Sequence, residues 1–205
     1  MAPRPVRADS PAQPTVALHD RAEDQLRYIR DVMSRAAEFT AVPGWGGVLM
    51  GVTALAAAPL AARQPSSDRW LGVWAIEAVV AVTIGAVATA RKAARAREAI
   101  GQGPGRRFAL AFAPPVIAGA VLSAMLYRLH SVAALPSVWL LCYGAGVICG
   151  GAFSVRPIPL LGLLFMILGV AAAAVPGTFG DWCLAVGFGG LHVVFGLLIA
   201  RRYGG

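Results

Sequence analysis

The sequence predicts an all-α, polytopic membrane protein: six transmembrane helices preceded by an N-terminal amphipathic helix. Three observations carry this. Hydrophobic residues make up 58% of the 205 residues and charged residues only 14%, against about a quarter charged in soluble domains. Six apolar runs, at 43–62, 70–90, 108–127, 137–155, 157–175 and 182–200, are long enough at about 1.5 Å rise per residue to cross a hydrocarbon core of roughly 30 Å. The basic residues are also divided unequally between the two sides that these runs define. Fifteen fall on the side of the termini, including Arg91, Lys92, Arg95, Arg97, Arg106 and Arg107 between the second and third runs, and three (Arg63, Arg69, Arg128) fall on the other. That asymmetry predicts cytoplasmic N and C termini. It also accounts for the net charge of +8 without a nucleic-acid partner.

Residues 1–19 contain Pro3, Pro5, Pro11 and Pro14 and no apolar core. They read as a disordered cytoplasmic tail rather than a cleavable signal. Asp20 and Glu23 have capping-box spacing, so a helix is expected over 20–41. At 100° per residue its charged side chains share one arc, while Leu26, Tyr28, Ile29, Val32, Met33, Ala36, Ala37 and Phe39 fill the other, with Gln25 as the misfit. The polar face has three arginines against four acids, so attraction to anionic lipid does not hold it down. Docking against the bundle or a partner through Leu26, Ile29 and Met33 is favoured over simple interfacial binding.

The membrane domain, 42–205, starts where Pro43 and Gly44 break that helix. In span one, Gly44, Gly47, Gly51, Ala54 and Ala58 line one face along which another backbone can approach closely. Span two contains Glu77 in the run WAIEAVVAV. If the span enters from the outer side, Glu77 lies about 10 Å into the hydrocarbon. An acidic side chain near a helix centre costs roughly 2.5–3.5 kcal/mol on insertion scales, so it should face protein or water. Trp74, Ala78, Ala81, Gly85 and Ala88 share its side, which therefore reads as a packing face. Span three contains Pro114 and Pro115, which remove two helical donors and predict a kink. Arg156 and Pro157 alone separate spans four and five, predicting a tight hairpin. Span six contains His192 on a stripe of Ala185, Gly189, Gly196 and Ala200, a second predicted helix contact. Spans two and six run in the same direction, and Glu77 and His192 differ in depth by about 5 Å. They form a candidate intramembrane polar pair, the alternative being that each is satisfied separately. Gly44, Gly46 and Gly51 recur as Gly144, Gly146 and Gly151, which hints at an inverted repeat of two three-span halves. Cys142, Cys149 and Cys183 read as small buried side chains.

The segments YIRDVMSRAAEFT, FTAVPGWGGVLMG and GGLHVVFGLLIARRYGG resemble an uncharacterised family of bacterial six-span integral membrane proteins, over nearly the whole chain. The resemblance implies a multi-pass protein of the bacterial inner (cytoplasmic) membrane. It implies no activity, substrate or site residue.

Several function classes lack their parts. His19, His130 and His192 are far apart and no Cys or His pair has ligand spacing, so no metal is expected. Gly101, Gly103 and Gly105 lack the lysine of a phosphate loop, and no cofactor is expected. Gly144, Ala145 and Gly146 in span four with His192 in span six resemble the layout of rhomboid intramembrane proteases. Gly146 stands where their serine stands, and a serine hydrolase cannot act without its nucleophile, which leaves at most a pseudoprotease. No catalytic residue is assigned and the protein is expected not to be an enzyme. Two readings remain. The favoured one is a membrane interaction or sensing protein, with the bilayer around it and its cytoplasmic helix docked on a cytoplasmic or membrane partner or a second copy of the chain. The other is a small-solute or ion carrier using Glu77 and His192, for which two polar groups at mid-membrane are few.

Overall fold

The computed structural model describes residues 24–29, 39–40, 42–96, 103–175 and 177–203. The tail 1–19 and most of the surface helix 20–41, Met33 included, lie outside them. The chain forms two compact units, residues 1–37 and 38–205. In the first, 24–29 are helical and Leu26 and Ile29 are exposed.

The second unit is all-α, and six of its helices are long and apolar enough to cross a membrane. They are α1 (Gly44–Ala62), α2 (Ser67–Ala96), α3 (Gly103–Arg128), α4 (Leu135–Gly151), α5 (Pro157–Ala174) and α6 (Phe179–Tyr203). The helix α2 outruns its apolar core at both ends. Asp68 in its first turn and Arg95 in its last complement the helix dipole, so polar residues extend it beyond the hydrocarbon run. The helix α4 stops at Gly151 rather than continuing to 155, because residues 152–155 are used differently. The Phe39 N–H donates to the Phe153 carbonyl at 2.7 Å, and Ser154 Oγ donates to the Phe39 carbonyl at 2.7 Å. Phe39 is therefore not on a helix face. It pairs with the α4–α5 turn and packs on Phe108 at 5.2 Å.

Two glycine seams hold the bundle. On α1, Gly47 faces the Cα of Gly196 at 3.4 Å from its would-be Cβ, and Gly51 faces the Gly189 carbonyl at 2.6 Å. Gly44 lies against the backbone of Ala200. The helices α1 and α6 thus meet backbone to backbone, where a side chain would hold them apart. The second seam joins α4 to α5, with Gly144 and Gly162 each against the other's carbonyl at 2.7 Å. Gly85 is different: its neighbour is the flexible Met50 thioether at 3.3 Å. At the end of the bundle that holds both Val42 and Tyr203, Lys92 Nζ donates to the Val42 carbonyl at 3.0 Å and the Tyr203 carbonyl at 3.1 Å. A cation there also suits the C-terminus of α6.

The helix α3 continues through Pro114 and Pro115, leaving the carbonyls of Leu110 and Ala111 without their intrahelical donors. The hundred-residue glycine recurrence does not bring equivalent contacts. Gly44 and Gly51 face the sixth span, whereas Gly144 and Gly151 face the fifth. Cys183 is buried and Cys142 half-buried, but Cys149 is exposed, on the outside of α4 rather than in the core.

Candidate functional site

The helix α2 packs on α1 and α3 packs on α4, while α2 and α3 are not close-packed against each other. Between them lies a cleft of about 1030 Å³ with an almost wholly apolar and aromatic lining. Its walls include Ala75, Ala78 and Val82 of α2 and Ala109, Val116 and Ala120 of α3, all exposed. It therefore opens sideways between the two helices. The face of α2 expected to pack against another helix is in large part the wall of this cleft. Ala78 and Gly85 border it directly, and Ala88 instead meets Gly46 of α1.

One end is closed by aromatic rings tied down by hydrogen bonds. Trp70 stacks on Trp139 at 5.4 Å and 9°. The Trp70 indole donates to Asp181 at 2.7 Å, the Trp139 indole donates to Ser123 at 2.7 Å, and the Tyr127 hydroxyl donates to Asp68 at 3.0 Å. These bonds join α2 to α6, α4 to α3 and α3 to α2.

Glu77 and His192 both line the cleft and both are buried, at 8% and 6% exposure. They are not bonded to each other: among the described residues no ion pair or hydrogen bond joins them, and each has its own partner. Thr53 Oγ1 of α1 donates to Glu77 Oε1 at 2.8 Å, while the second carboxyl oxygen has no partner among the described residues. His192 Nε2 is 2.8 Å from the Tyr143 hydroxyl of α4. Its Nδ1 is buried without a hydrogen-bond partner, although the carbonyls of Gly187 and Phe188 lie beside the ring. Trp74, one turn before Glu77, is 4% exposed and its indole N–H is likewise unpartnered.

The backbone of α6 sets where His192 stands. Residues Ala185–Leu191 wind as a π-helix and the α-helix resumes at His192. The wide turn forms where Gly187 and Gly189 leave room, filled by Leu140 and Phe165 at the first and Leu55 at the second. It puts Phe188 beside Trp74 at 6.5 Å and parallel to the His192 ring at 6.2 Å and 14°. π-turns inside α-helices occur frequently at functional sites. The sequence reading missed this turn, and with it Tyr143 and Thr53. A hydroxyl in the middle of an apolar span needs a partner, which is the signal by which both could have been found.

A Cβ at Gly146 would point at the Phe112 carbonyl of α3, at 2.9 Å, and it is Tyr143 that meets His192. Cys142 packs against Gly119 of α3. Among the described residues, no group of three His, Cys, Asp or Glu side chains is placed to hold a metal ion. The chain matches no protein-family model, no curated protein and no solved structure.

Proposed function

We propose that the protein is a non-enzymatic sensing and interaction protein of a bacterial inner membrane. The bundle takes a small apolar molecule from the bilayer into the cleft, and the N-terminal segment, in the cytoplasm, passes its occupancy to a partner protein. The observation that carries this reading is the cleft. It is large, apolar and open sideways between α2 and α3, and its lining includes a few polar side chains, among them Glu77, Tyr143 and His192, in a mostly greasy wall. Ligand sites have this composition, a mostly apolar lining with a few placed polar groups. The non-enzymatic part is supported by Gly146, which has no nucleophile and whose would-be Cβ meets Phe112 of α3. The interaction part is supported by the exposed apolar side chains of Leu26 and Ile29.

The test uses the full-length protein in lipid nanodiscs, titrated with N-phenyl-1-naphthylamine, a neutral dye that fluoresces in apolar surroundings. Saturable binding is expected, weakened at least about tenfold by Ala78→Trp, which puts an indole into the cleft. Ile29→Asp should leave dye binding intact while removing cross-links to the partner in native membranes. Uptake that never saturates and is identical in the parent and Ala78→Trp proteins would overturn the reading. Orientation is checked separately: reporter fusions in 97–102 should report cytoplasm, and periplasmic activity there would invert the topology.

The carrier reading is favoured by one observation, that Glu77 and His192 open on the same cleft. Flux of the dye driven by a pH gradient in proteoliposomes, abolished by Glu77→Gln, would put a carrier in place of a sensor.

A further inference from the structure

We infer that the molecule held in the cleft is a lipophilic amine: an apolar body with one basic nitrogen, whose N–H bonds to the free oxygen of Glu77. This rests on the cleft being a ligand site, and it names the ligand's chemistry.

Among the described residues that line the cleft, Glu77 has the only carboxyl group, and none is lysine or arginine. At 8% exposure Glu77 is more than nine-tenths buried. Its Oε1 accepts from Thr53 at 2.8 Å. Oε2 has no partner among the described residues, yet protein does not cover it as it covers the unpartnered nitrogens of Trp74 and His192. On a residue that lines the cleft, this uncovered oxygen is the atom left for a ligand.

No neighbour in the lining neutralises the carboxyl group. His192 is tied through Nε2 to the Tyr143 hydroxyl at 2.8 Å, and its Nδ1 is covered by protein. Cys142 and Tyr143, the other titratable side chains in the lining, are themselves acids and supply no positive charge.

A carboxyl group in an apolar wall is stable as the neutral acid or as a carboxylate facing a cation, and costly as a bare charge. An amine connects the two forms. Its uncharged base dissolves in hydrocarbon and enters by the sideways opening between α2 and α3. There the nitrogen lone pair takes the proton of the Oε2–H group, whose bonding electrons stay on oxygen, and an ammonium then donates to a carboxylate. Such charge-assisted bonds are roughly twice as strong as neutral ones. A permanent cation, by contrast, carries its charge through hydrocarbon and has no N–H for Oε2.

The rest of the lining suits the body of such a molecule. Trp74, Phe108, Phe112, Trp139, Tyr143 and Phe188 supply aromatic surface, which packs against apolar groups and attracts a cation within about 6 Å of a ring face. The phosphate of an ethanolamine lipid finds no basic side chain here, which favours a free amine over a lipid headgroup.

The experiment compares three naphthalenes on the full chain in phosphatidylcholine nanodiscs, by equilibrium dialysis corrected for uptake by empty nanodiscs. They are N,N-dimethyl-1-naphthylmethylamine, its carbon isostere 1-isobutylnaphthalene, and the corresponding N,N,N-trimethyl salt. The amine is expected to bind about tenfold or more tightly than the isostere, and more tightly than the salt. Glu77→Gln should remove the amine's advantage and leave the isostere unchanged. A ligand that only accepts hydrogen bonds would be retained by the glutamine N–H, so the loss identifies a donor. A measurement on the unaltered protein covers the case of a variant that does not fold. With ¹³C-labelled glutamate carboxyl groups, one resonance should shift with the amine and stay in place with the isostere. Equal affinity for amine and isostere, an amine affinity indifferent to Glu77→Gln, or a salt bound as tightly as the amine overturns the inference. If the isostere still saturates and Ala78→Trp expels it, the cleft survives as a ligand site. Amine binding should persist when phosphatidylethanolamine is added to the nanodiscs; displacement would put a lipid headgroup at Glu77 and overturn the small-molecule inference. If no probe saturates, the ligand-site reading fails with it.

Discussion

Gly196→Ala is expected to cost about 3 kcal/mol and Gly196→Val to prevent folding, while Gly85→Ala raises stability by up to about 1 kcal/mol. Both are glycines within long apolar helices, and helix propensity alone would make both substitutions favourable. The difference lies in what a new Cβ would meet. At Gly196 it meets the Val48 N at 2.6 Å, the Gly44 carbonyl at 2.8 Å and the Gly47 carbonyl carbon at 3.0 Å. All three are backbone, so relief requires moving α6 away from α1, and that undoes close packing along the whole seam. At Gly85 the new methyl meets a thioether at 3.3 Å on the unbranched, rotatable Met50 side chain. Gly47→Ala belongs between the two, since its nearest neighbour, the Gly196 Cα at 3.4 Å, is at the edge of ordinary contact. A loss of about 3 kcal/mol is a large share of a typical 5–15 kcal/mol total. The check is reversible unfolding in mixed micelles, reading helicity against denaturing detergent. The decisive quantity is the order Gly85, Gly47, Gly196, from mildest to worst. An equal effect at all three positions would mean that α1 and α6 do not meet through this seam.

The spans were legible because hydrocarbon thickness imposes a length and an apolar composition that few other structures need. The small-residue stripes were legible too, but a stripe does not say what covers it. Gly44, Gly47 and Gly51 meet the backbone of α6, whereas Ala78 and Gly85, equally small and equally periodic, line a cleft. Both surfaces select small apolar residues, one for close approach and the other for space. Glu77 and His192 stood out in sequence as polar atoms in apolar runs, but their partners did not, because Thr53 and Tyr143 lie on other helices whose rotation about their axes no single run encodes. The π-turn at Ala185–Leu191 was hidden for a related reason: a straight projection at 3.6 residues per turn assumes the regularity that this segment breaks. Phe39, counted on the apolar face of a surface helix, is bonded instead to the α4–α5 turn. Tertiary partners outweighed helical periodicity there.

The reason for an acid in WAIEAVVAV is tested by Glu77→Leu, which is expected to leave the protein at least as stable as the parent and to gain up to about 2 kcal/mol. The expectation follows from counting hydrogens. The Thr53 hydroxyl has one to give and three acceptors within reach: Glu77 Oε1 at 2.8 Å, the Met50 carbonyl at 2.9 Å and the Leu49 carbonyl at 3.2 Å. Removing the carboxyl group therefore strands nothing, because Thr53 bonds back to its own helix. No other side chain among the described residues is bonded to the carboxyl group, and leucine replaces a polar group by an apolar one in an apolar wall. Glu77→Gln keeps the volume and an acceptor for Thr53, and should match the parent to within about 1 kcal/mol. If this order holds, the fold does not need the acid, and its place in the cleft is explained by what enters the cleft. The opposite order, a loss of more than about 1 kcal/mol in Glu77→Leu that Glu77→Gln recovers, would make the carboxyl group a structural link between α1 and α2. Glu77 would then leave the candidate site, and the cleft would keep only its other polar lining residues, among them Ser123, Tyr143 and His192.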